Sequence, residues 1–179
     1  MQLKDSIYLI SRYIFLVLIA LPGMQLFYLI FTPLTSYPVY WVLSLIYPNI
    51  ILMNSFLILG SSAVQLIPAC IAGSAYYLLL ILSMATPMPA SKRLKSICFM
   101  ILSFLFLNIL RLVIFSILFI GGYQYFGVMH SLIWYFGSTA LVVIIWFANA
   151  WVFKIKGIPV YTDMKSLYSS AKKEVRKDE

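Results

Sequence analysis

Charged residues are scarce in this sequence and are missing altogether from its longest stretches. They make up 10% of the 179 residues, against about 25% in ordinary soluble domains. None occurs from Tyr13 to Ser91, and the window from Ser96 to Phe153 contains only Arg111. Because 63% of the residues are hydrophobic, a soluble fold of this size would expose large apolar patches to water. The scarcity of charge therefore excludes an ordinary soluble domain and predicts a protein of the lipid bilayer.

Acidic residues are absent between Asp5 and Asp163, and the chain has one histidine and two cysteines. A zinc site needs about four nitrogen, sulfur or carboxylate ligands, which so few residues on distant segments do not supply. The sequence also lacks a glycine-rich phosphate loop and a nucleotide fingerprint. We therefore expect no metal ion and no other cofactor.

The basic residues form clusters beside the apolar segments and give the chain a net charge of +8. The clusters are Lys4 with Arg12, the segment from Lys92 to Lys95, and the stretch from Lys154 to Lys177. Clusters in these positions are typical of cytoplasmic flanks that face anionic lipid. The positive charge therefore does not indicate a nucleic-acid partner.

The predicted fold class is an all-α polytopic membrane protein with both termini in the cytoplasm. Residues 1–153 form the integral membrane domain, and residues 154–179 form a basic cytoplasmic tail. A crossing needs about 20 apolar residues, and an even number of crossings between basic clusters keeps all of them on the cytoplasmic side. About four transmembrane helices are expected, at roughly 13–31, 69–86, 96–120 and 131–153.

Residues 32–68 are apolar but are interrupted by prolines from Pro33 to Pro68. We expect an interfacial helix near 39–47 on the outer side, followed by a hairpin or re-entrant segment that turns at 60–62. Open strand edges are not tolerated in lipid, so this segment should pack over the other helices as a cap. A helical hairpin that crosses the membrane twice would also keep the number of crossings between the basic clusters even, and it stays an alternative.

Arg111 and Asn108 form a polar stripe within an otherwise apolar helix. A charge at that depth costs at least about 2.5 kcal/mol and is normally paired, yet no predicted span contains an acid. Asn108 lies three residues earlier, which places both side chains on one helix face. One interpretation is structural, with Arg111 bound to loop carbonyls or reaching the interface and Asn108 joining helices. The functional interpretation is a site for an anion that is formed or held during a reaction.

Cys70 and His130 are predicted at the outer ends of two different spans. Cys70 follows Pro68 and should lie in the first turn of a helix, where the helix dipole and free N–H groups stabilise a thiolate. A small buried hydrophobic residue is the bland alternative for a free cysteine, and Cys98, near the cytoplasmic end, exemplifies it. His130 is either an interfacial ring in water or the general base and acid for a thiol nucleophile. Because Cys70 and Cys98 fall at opposite membrane faces, we expect both thiols to be free.

In these segments the sequence resembles the exosortase and archaeosortase family of membrane-embedded cysteine transpeptidases. The resembling pieces are the segment Ile67–Gly73, which contains Cys70, the Asn-x-x-Arg stretch from Asn108 to Arg111, and His130. The chain is a short form, and it departs from the family next to the nucleophile. Members often have a small or hydroxyl residue and then glycine directly after the cysteine, whereas Ile71 and Ala72 follow here.

The resemblance implies a plasma-membrane enzyme whose active site faces the extracytoplasmic side. Its substrates would be exported surface proteins with a C-terminal motif, a transmembrane helix and a basic end. Cys70 would form a thioester, His130 would transfer protons, and Arg111 would stabilise the oxyanion with support from Asn108. An acceptor, such as a membrane lipid, would resolve the thioester. A small anion-binding transporter, or a non-enzymatic assembly factor that uses Arg111 as a polar anchor, are the alternative functions.

Overall fold

The computed structural model describes residues 3–21 and 24–155, and within these ranges the chain is mostly helical with one small antiparallel sheet. A π-helical turn at Ile133–Gly137, called the π-turn below, connects the last two helices without a break. The strands are β1 (Ile51–Met53), β2 (Phe56–Leu59) and β3 (Ser62–Gln65). The helices are α1 (Leu3–Ala20), α2 (Gln25–Ile46), α3 (Pro68–Ile71), α4 (Gly73–Met84), α5 (Ala90–Ile120), α6 (Phe126–Leu132) and α7 (Ser138–Val152).

Three helical segments of the described chain are long and apolar enough to cross a membrane. They are α2, α5, and the continuous helix from Phe126 to Val152 that contains the π-turn. A shorter apolar segment, Pro68–Met84, corresponds to the predicted span at 69–86. The predictions for 96–120 and 131–153 were therefore close, although both helices begin five or more residues earlier.

The predicted first span at 13–31 is wrong, because a helix boundary falls inside it. Helix α1 ends at Ala20 and α2 begins at Gln25, and the intervening sequence contains a Pro-Gly pair, which is a strong helix-ending signal. The interfacial helix expected near 39–47 is also wrong. Residues 39–46 are helical, but they form the C-terminal part of α2, which runs for 22 residues from Gln25, and not a separate helix.

Pro33 and Pro38 lie inside α2, where the sequence indicated a break. A proline removes one backbone hydrogen bond, but membrane helices tolerate it where neighbouring helices support the freed groups. The ring of Phe31 stacks on Tyr76 of α4 with centroids 3.6 Å apart, and Tyr76 packs edge-on against Phe104 of α5 at 4.8 Å. These buried rings bind α2 to α4 and α5 before the prolines, and Val39 and Leu43, which follow the prolines, are buried in a cluster with Leu112 of α5.

The sheet corrects the all-α prediction and bears out the expected cap. Two-residue turns join its strands, and their first residues, Asn54 and Gly60, have the positive φ angles that such turns favour. The turn predicted at 60–62 is thus confirmed. Leu57 and Leu66 are buried against Leu112 and other apolar residues of α2 and α5, so the sheet covers one end of the helical bundle.

Basic side chains gather at the opposite end of the bundle. Arg12 donates hydrogen bonds from Nε (2.7 Å) and Nη2 to the carbonyl oxygen of Met84, and Arg93 Nη2 donates to that of Thr86 at 3.0 Å. The ring of Phe99 contacts the ring of Phe153, directly after α7. Arg12, Arg93 and the end of α7 that precedes the third basic cluster therefore lie toward one end. The predicted tail at 154–179 lies almost entirely outside the described residues.

Candidate active site

Cys70 lies in a one-turn helix whose position follows from the local sequence. Ile67 is extended (φ −75°, ψ 162°), and Pro68 occupies the start of α3, where its missing N–H would have no partner in any case. Cys70 is the third residue of α3, so its prediction in the first turn of a helix is confirmed. The helix is shorter than predicted, because it ends at Ile71.

Ala72 separates α3 from α4 in a left-handed conformation, with φ 58° and ψ 45°. This conformation is usual for glycine at a helix C-terminus and costs an L-residue roughly 1–2 kcal/mol. Ala72 is nonetheless buried. The following Gly73 lies so close to α2 that a Cβ atom there would be 2.9 Å from the Tyr28 ring. The thiol-bearing turn is thus joined to α4 by a strained residue and a close helix contact.

Asn108 and Arg111 of α5 both hold the backbone of this turn. Asn108 Nδ2 donates to the carbonyl oxygens of Cys70 (3.0 Å) and Ile71 (3.5 Å). Arg111 Nη2 donates to the Cys70 carbonyl oxygen at 3.4 Å. The helix spacing predicted that the two side chains share a face, and their common acceptor agrees with it. Asn108 is fully buried beneath the turn.

Ser138 is a site residue that the sequence did not single out. Its Oγ accepts a hydrogen bond from Arg111 Nη1 at 2.8 Å. The guanidinium thus bridges α7 and α3, and among the described residues these two oxygen atoms are its hydrogen-bond acceptors. Within residues 24–155 no carboxylate compensates the charge, since the sequence has none between Asp5 and Asp163. A single serine near a helix start is too common a feature to have identified this contact.

His130 is held at its position by aromatic rings. It lies on α6, where its ring stacks on Phe126 (centroids 5.4 Å apart, planes 19°) and meets Phe115 of α5 edge-on (5.6 Å, 88°). Within the described chain, no hydrogen bond fixes the imidazole nitrogen atoms. They are therefore available to a thiol or a substrate group, and such bonds often tighten only when substrate is bound.

Cys70, Arg111 and His130 line one cavity of about 310 Å³, so the structure brings the predicted nucleophile, cation and base together. The cavity lies between β3 and its following loop, α3, α5, α6 and the π-turn. Its volume is at the lower end of the range for small-ligand sites. Both cysteines are free, as predicted, but Cys98 is exposed elsewhere on α5 and is not the buried residue that the sequence suggested. The remaining lining residues are Ala63, Val64, Gln65, Leu66, Ile67, Ala69, Leu112, Phe115, Ser116, Phe119, Phe126, Ile133 and Trp134.

The cavity lining contains a thiol, an imidazole and a guanidinium among mostly apolar residues. Among the described residues, no group of three or more histidine, cysteine or acidic side chains could hold a metal ion. A nucleophile, a proton carrier and a cation near one cavity are the groups that acyl transfer requires. A comparison of the chain with protein-family models, curated proteins and solved structures finds no match.

Proposed function

We propose that this chain is a membrane-embedded cysteine peptidase or transpeptidase that cleaves C-terminal sorting tails of exported surface proteins. The observation that supports it is the convergence of Cys70, Arg111 and His130, from three different helices, on one cavity. The acyl group passes to Cys70 and then to an acceptor, such as an amine of a membrane lipid. The substrates are proteins that end in a recognition motif, a transmembrane helix and a basic cluster.

The reaction proceeds in two acyl transfers. His130 takes the proton of the Cys70 thiol, and the sulfur attacks the carbonyl carbon of the scissile peptide bond. Arg111 donates a hydrogen bond to the oxyanion of the tetrahedral intermediate. The C–N bond breaks, His130 returns the proton to the leaving amine, and a thioester remains. An acceptor amine, or water, then attacks the thioester while His130 takes its proton, and the thiol is regenerated.

Asn108 and Ser138 have positioning roles in this scheme. Asn108 fixes the carbonyl groups of the turn that bears the nucleophile, and Ser138 fixes the guanidinium. A buried amide that is already bonded to the turn does not reach substrate. Its contribution is to keep the thiol and Arg111 in one geometry, which is the part of catalysis that rigid elements supply.

The proposed orientation places the cavity on the extracytoplasmic side. Arg12 and Arg93 bind the connection between α4 and α5, at the end of the bundle opposite the sheet and the cavity. Basic flanks favour the cytoplasm. With this orientation the thiol meets proteins after export, when their tails are still anchored in the membrane.

The test compares C-terminal peptides of exported membrane proteins, by mass spectrometry, in cells that express the wild-type chain or Cys70→Ser. Cleaved tails that require Cys70 support the proposal, and an acyl group trapped on Cys70 by acid quenching identifies the thioester. Cys98→Ser is the matched control, since this thiol lies away from the cavity, and it should cleave normally. Undiminished cleavage by Cys70→Ser would eliminate the mechanism.

The same variants separate the alternative functions. A small anion transporter requires Arg111 but not Cys70. An assembly factor that uses Arg111 only as an anchor tolerates both Cys70→Ser and His130→Ala, provided that the variants insert and fold.

A further inference from the structure

Strand β3 forms an edge of the small sheet, and its unpaired side borders the cavity. The strand order is β1-β2-β3, so β3 pairs with a strand on one side only. Ala63, Val64 and Gln65, which are consecutive, all line the cavity. Successive side chains of a strand point to opposite faces. A cavity that touches three in a row therefore reaches the strand edge rather than one face of the sheet.

The hydrogen-bond register identifies which backbone groups of β3 face this edge. The N–H of Leu66 donates to the carbonyl oxygen of Ser55 at 2.8 Å, which makes Leu66 a hydrogen-bonded position of the antiparallel ladder. Bonded and non-bonded positions alternate along such a strand. Val64 is therefore bonded to β2, whereas Ala63 and Gln65 direct their N–H and C=O groups away from it.

These outward groups make no hydrogen bond with any residue in 3–21 or 24–155. Ala63 and Gln65 are both exposed. An unpaired strand edge is a template for another strand, and backbone groups near lipid are costly when they have no partner. The strand contains no lysine or proline, the residues that often protect an edge from pairing.

We propose that the outer edge of β3 binds an extended segment of the substrate polypeptide as an additional strand beside Cys70. The identity of this occupant rests on the proposed function. Main-chain hydrogen bonds to Ala63 and Gln65 supply affinity independently of sequence, and alternate substrate side chains enter the cavity and supply specificity. Such binding holds a flexible tail extended, which exposes its carbonyl groups to the thiol.

Amide exchange in the detergent-solubilised full chain tests the edge without catalysis. The probe is a peptide of alternating threonine and valine with a lysine at each end and blocked termini, at millimolar concentration. Without peptide, the Ala63 and Gln65 amides should exchange fast and the Val64 amide slowly. The peptide should slow the first two by on the order of tenfold, and a peptide N-methylated at every residue, which has no N–H on either edge, should not.

Two results of this experiment would overturn the proposal. One is exchange at Ala63 and Gln65 that the peptide leaves unchanged. The other is slow exchange without peptide that speeds up on dilution of the protein, which would mean that a second copy of the chain occupies the edge. Neither result depends on whether the chain is an enzyme.

Proline at position 63 tests the same edge during tail processing. Ala63→Pro removes an outward N–H without removing a bond to β2, and prolines are tolerated at strand edges. Its KM should exceed that of Ala63→Val, which keeps the N–H, by at least about fivefold, with a smaller change in kcat. Equal KM values for the two variants count against strand addition. Processing that survives Cys70→Ser counts instead against the proposed function, so the two failures are distinguishable.

Discussion

Ala72 and Ala75 form a matched pair that measures the backbone strain next to the candidate nucleophile. They are 6% and 7% exposed, respectively, and lie three residues apart. Ala75 is in the regular helix α4, whereas Ala72 has a φ angle of 58°. Substitution by glycine removes one buried methyl group at each position. The difference in stability between the two variants therefore isolates the effect of backbone conformation.

The expected magnitudes follow from these conformations. Loss of the methyl group costs about 0.8 kcal/mol at either site. In Ala75→Gly, the flexibility of glycine in a helix adds roughly 0.5–1 kcal/mol. In Ala72→Gly, relief of the left-handed strain returns about 1–2 kcal/mol, which offsets the lost methyl group and the greater freedom of the unfolded chain. We expect Ala72→Gly to be close to neutral and Ala75→Gly to be destabilising by about 1.5 kcal/mol.

The assay is reversible unfolding of the purified chain in mixed micelles, with the free energy of unfolding taken from the denaturant midpoint and slope. Ala72→Val provides a further control, because a β-branched residue is poorly accommodated at positive φ and should be the least stable of the three. If Ala72→Gly is as destabilising as Ala75→Gly, residue 72 is not strained, and the account of the turn after Cys70 fails.

Three further predictions concern contacts around the site. Gly137→Ala would place its Cβ atom 2.7 Å from Ile133 Cγ2. We expect the free energy of unfolding, measured in the same assay, to fall by about 1–3 kcal/mol. Adding Ile133→Ala, which removes that methyl group, should restore part of the loss. Ser138→Ala removes the oxygen bound by Arg111 and should lower the rate of tail processing by about tenfold. Arg111→Lys should lower the rate further, because an ammonium group does not bridge two acceptors as a planar guanidinium does. Equal processing rates for Ser138→Ala and wild type would contradict the positioning role of Ser138. Asn108→Leu removes the donor to the Ile71 carbonyl and the shorter of the two bonds to the Cys70 carbonyl, and it should reduce the free energy of unfolding by about 1–3 kcal/mol. An unchanged midpoint would show that the turn does not need the amide.

Local signals in the sequence were sufficient for several parts of the site. The Pro68 that starts α3 placed Cys70 in a first helical turn, because a proline at that position has a fixed φ and needs no hydrogen bond. The spacing of Asn108 and Arg111 placed them on one face, since residues three apart are neighbours on a helix. Gly60 indicated a tight turn because glycine adopts positive φ angles easily, and its φ angle in the structure is 57°. Each of these features depends on residues close together in the chain.

Features that depend on distant residues were missed. Pro33 and Pro38 are helix breakers by local rules, yet α2 continues through them, because apolar residues of α4 and α5 pack against it before and after the prolines. The acceptor for Arg111 comes from Ser138, on another helix, and no local pattern identifies such a pairing. The contribution of β3 to the cavity likewise follows from the packing of the sheet on the bundle.

The π-turn explains how one helix directs both His130 and Ser138 toward α5. The two residues are eight positions apart, and in a regular α-helix, at 3.6 residues per turn, they would differ in direction by about 80°. A π-turn closes its hydrogen bonds one residue later and so contains about one residue more than an α-turn. Eight positions then correspond to about seven, within roughly 20° of two full turns. His130 lines the cavity and Ser138 binds Arg111, as this alignment requires.

Deletion of a single residue tests whether the π-turn serves this alignment. Removal of Phe136, an exposed residue of the π-turn, leaves a regular helix in which His130 still faces α5, so folding and tail processing should persist. Removal of Val143, an exposed residue of α7, should rotate the buried Ile145 and Asn149 by about 100° from their packed positions. We expect that variant to lose most of its folded yield, measured by size-exclusion chromatography in detergent. Equal damage from the two deletions would mean that the extra residue has no role in the register of this helix.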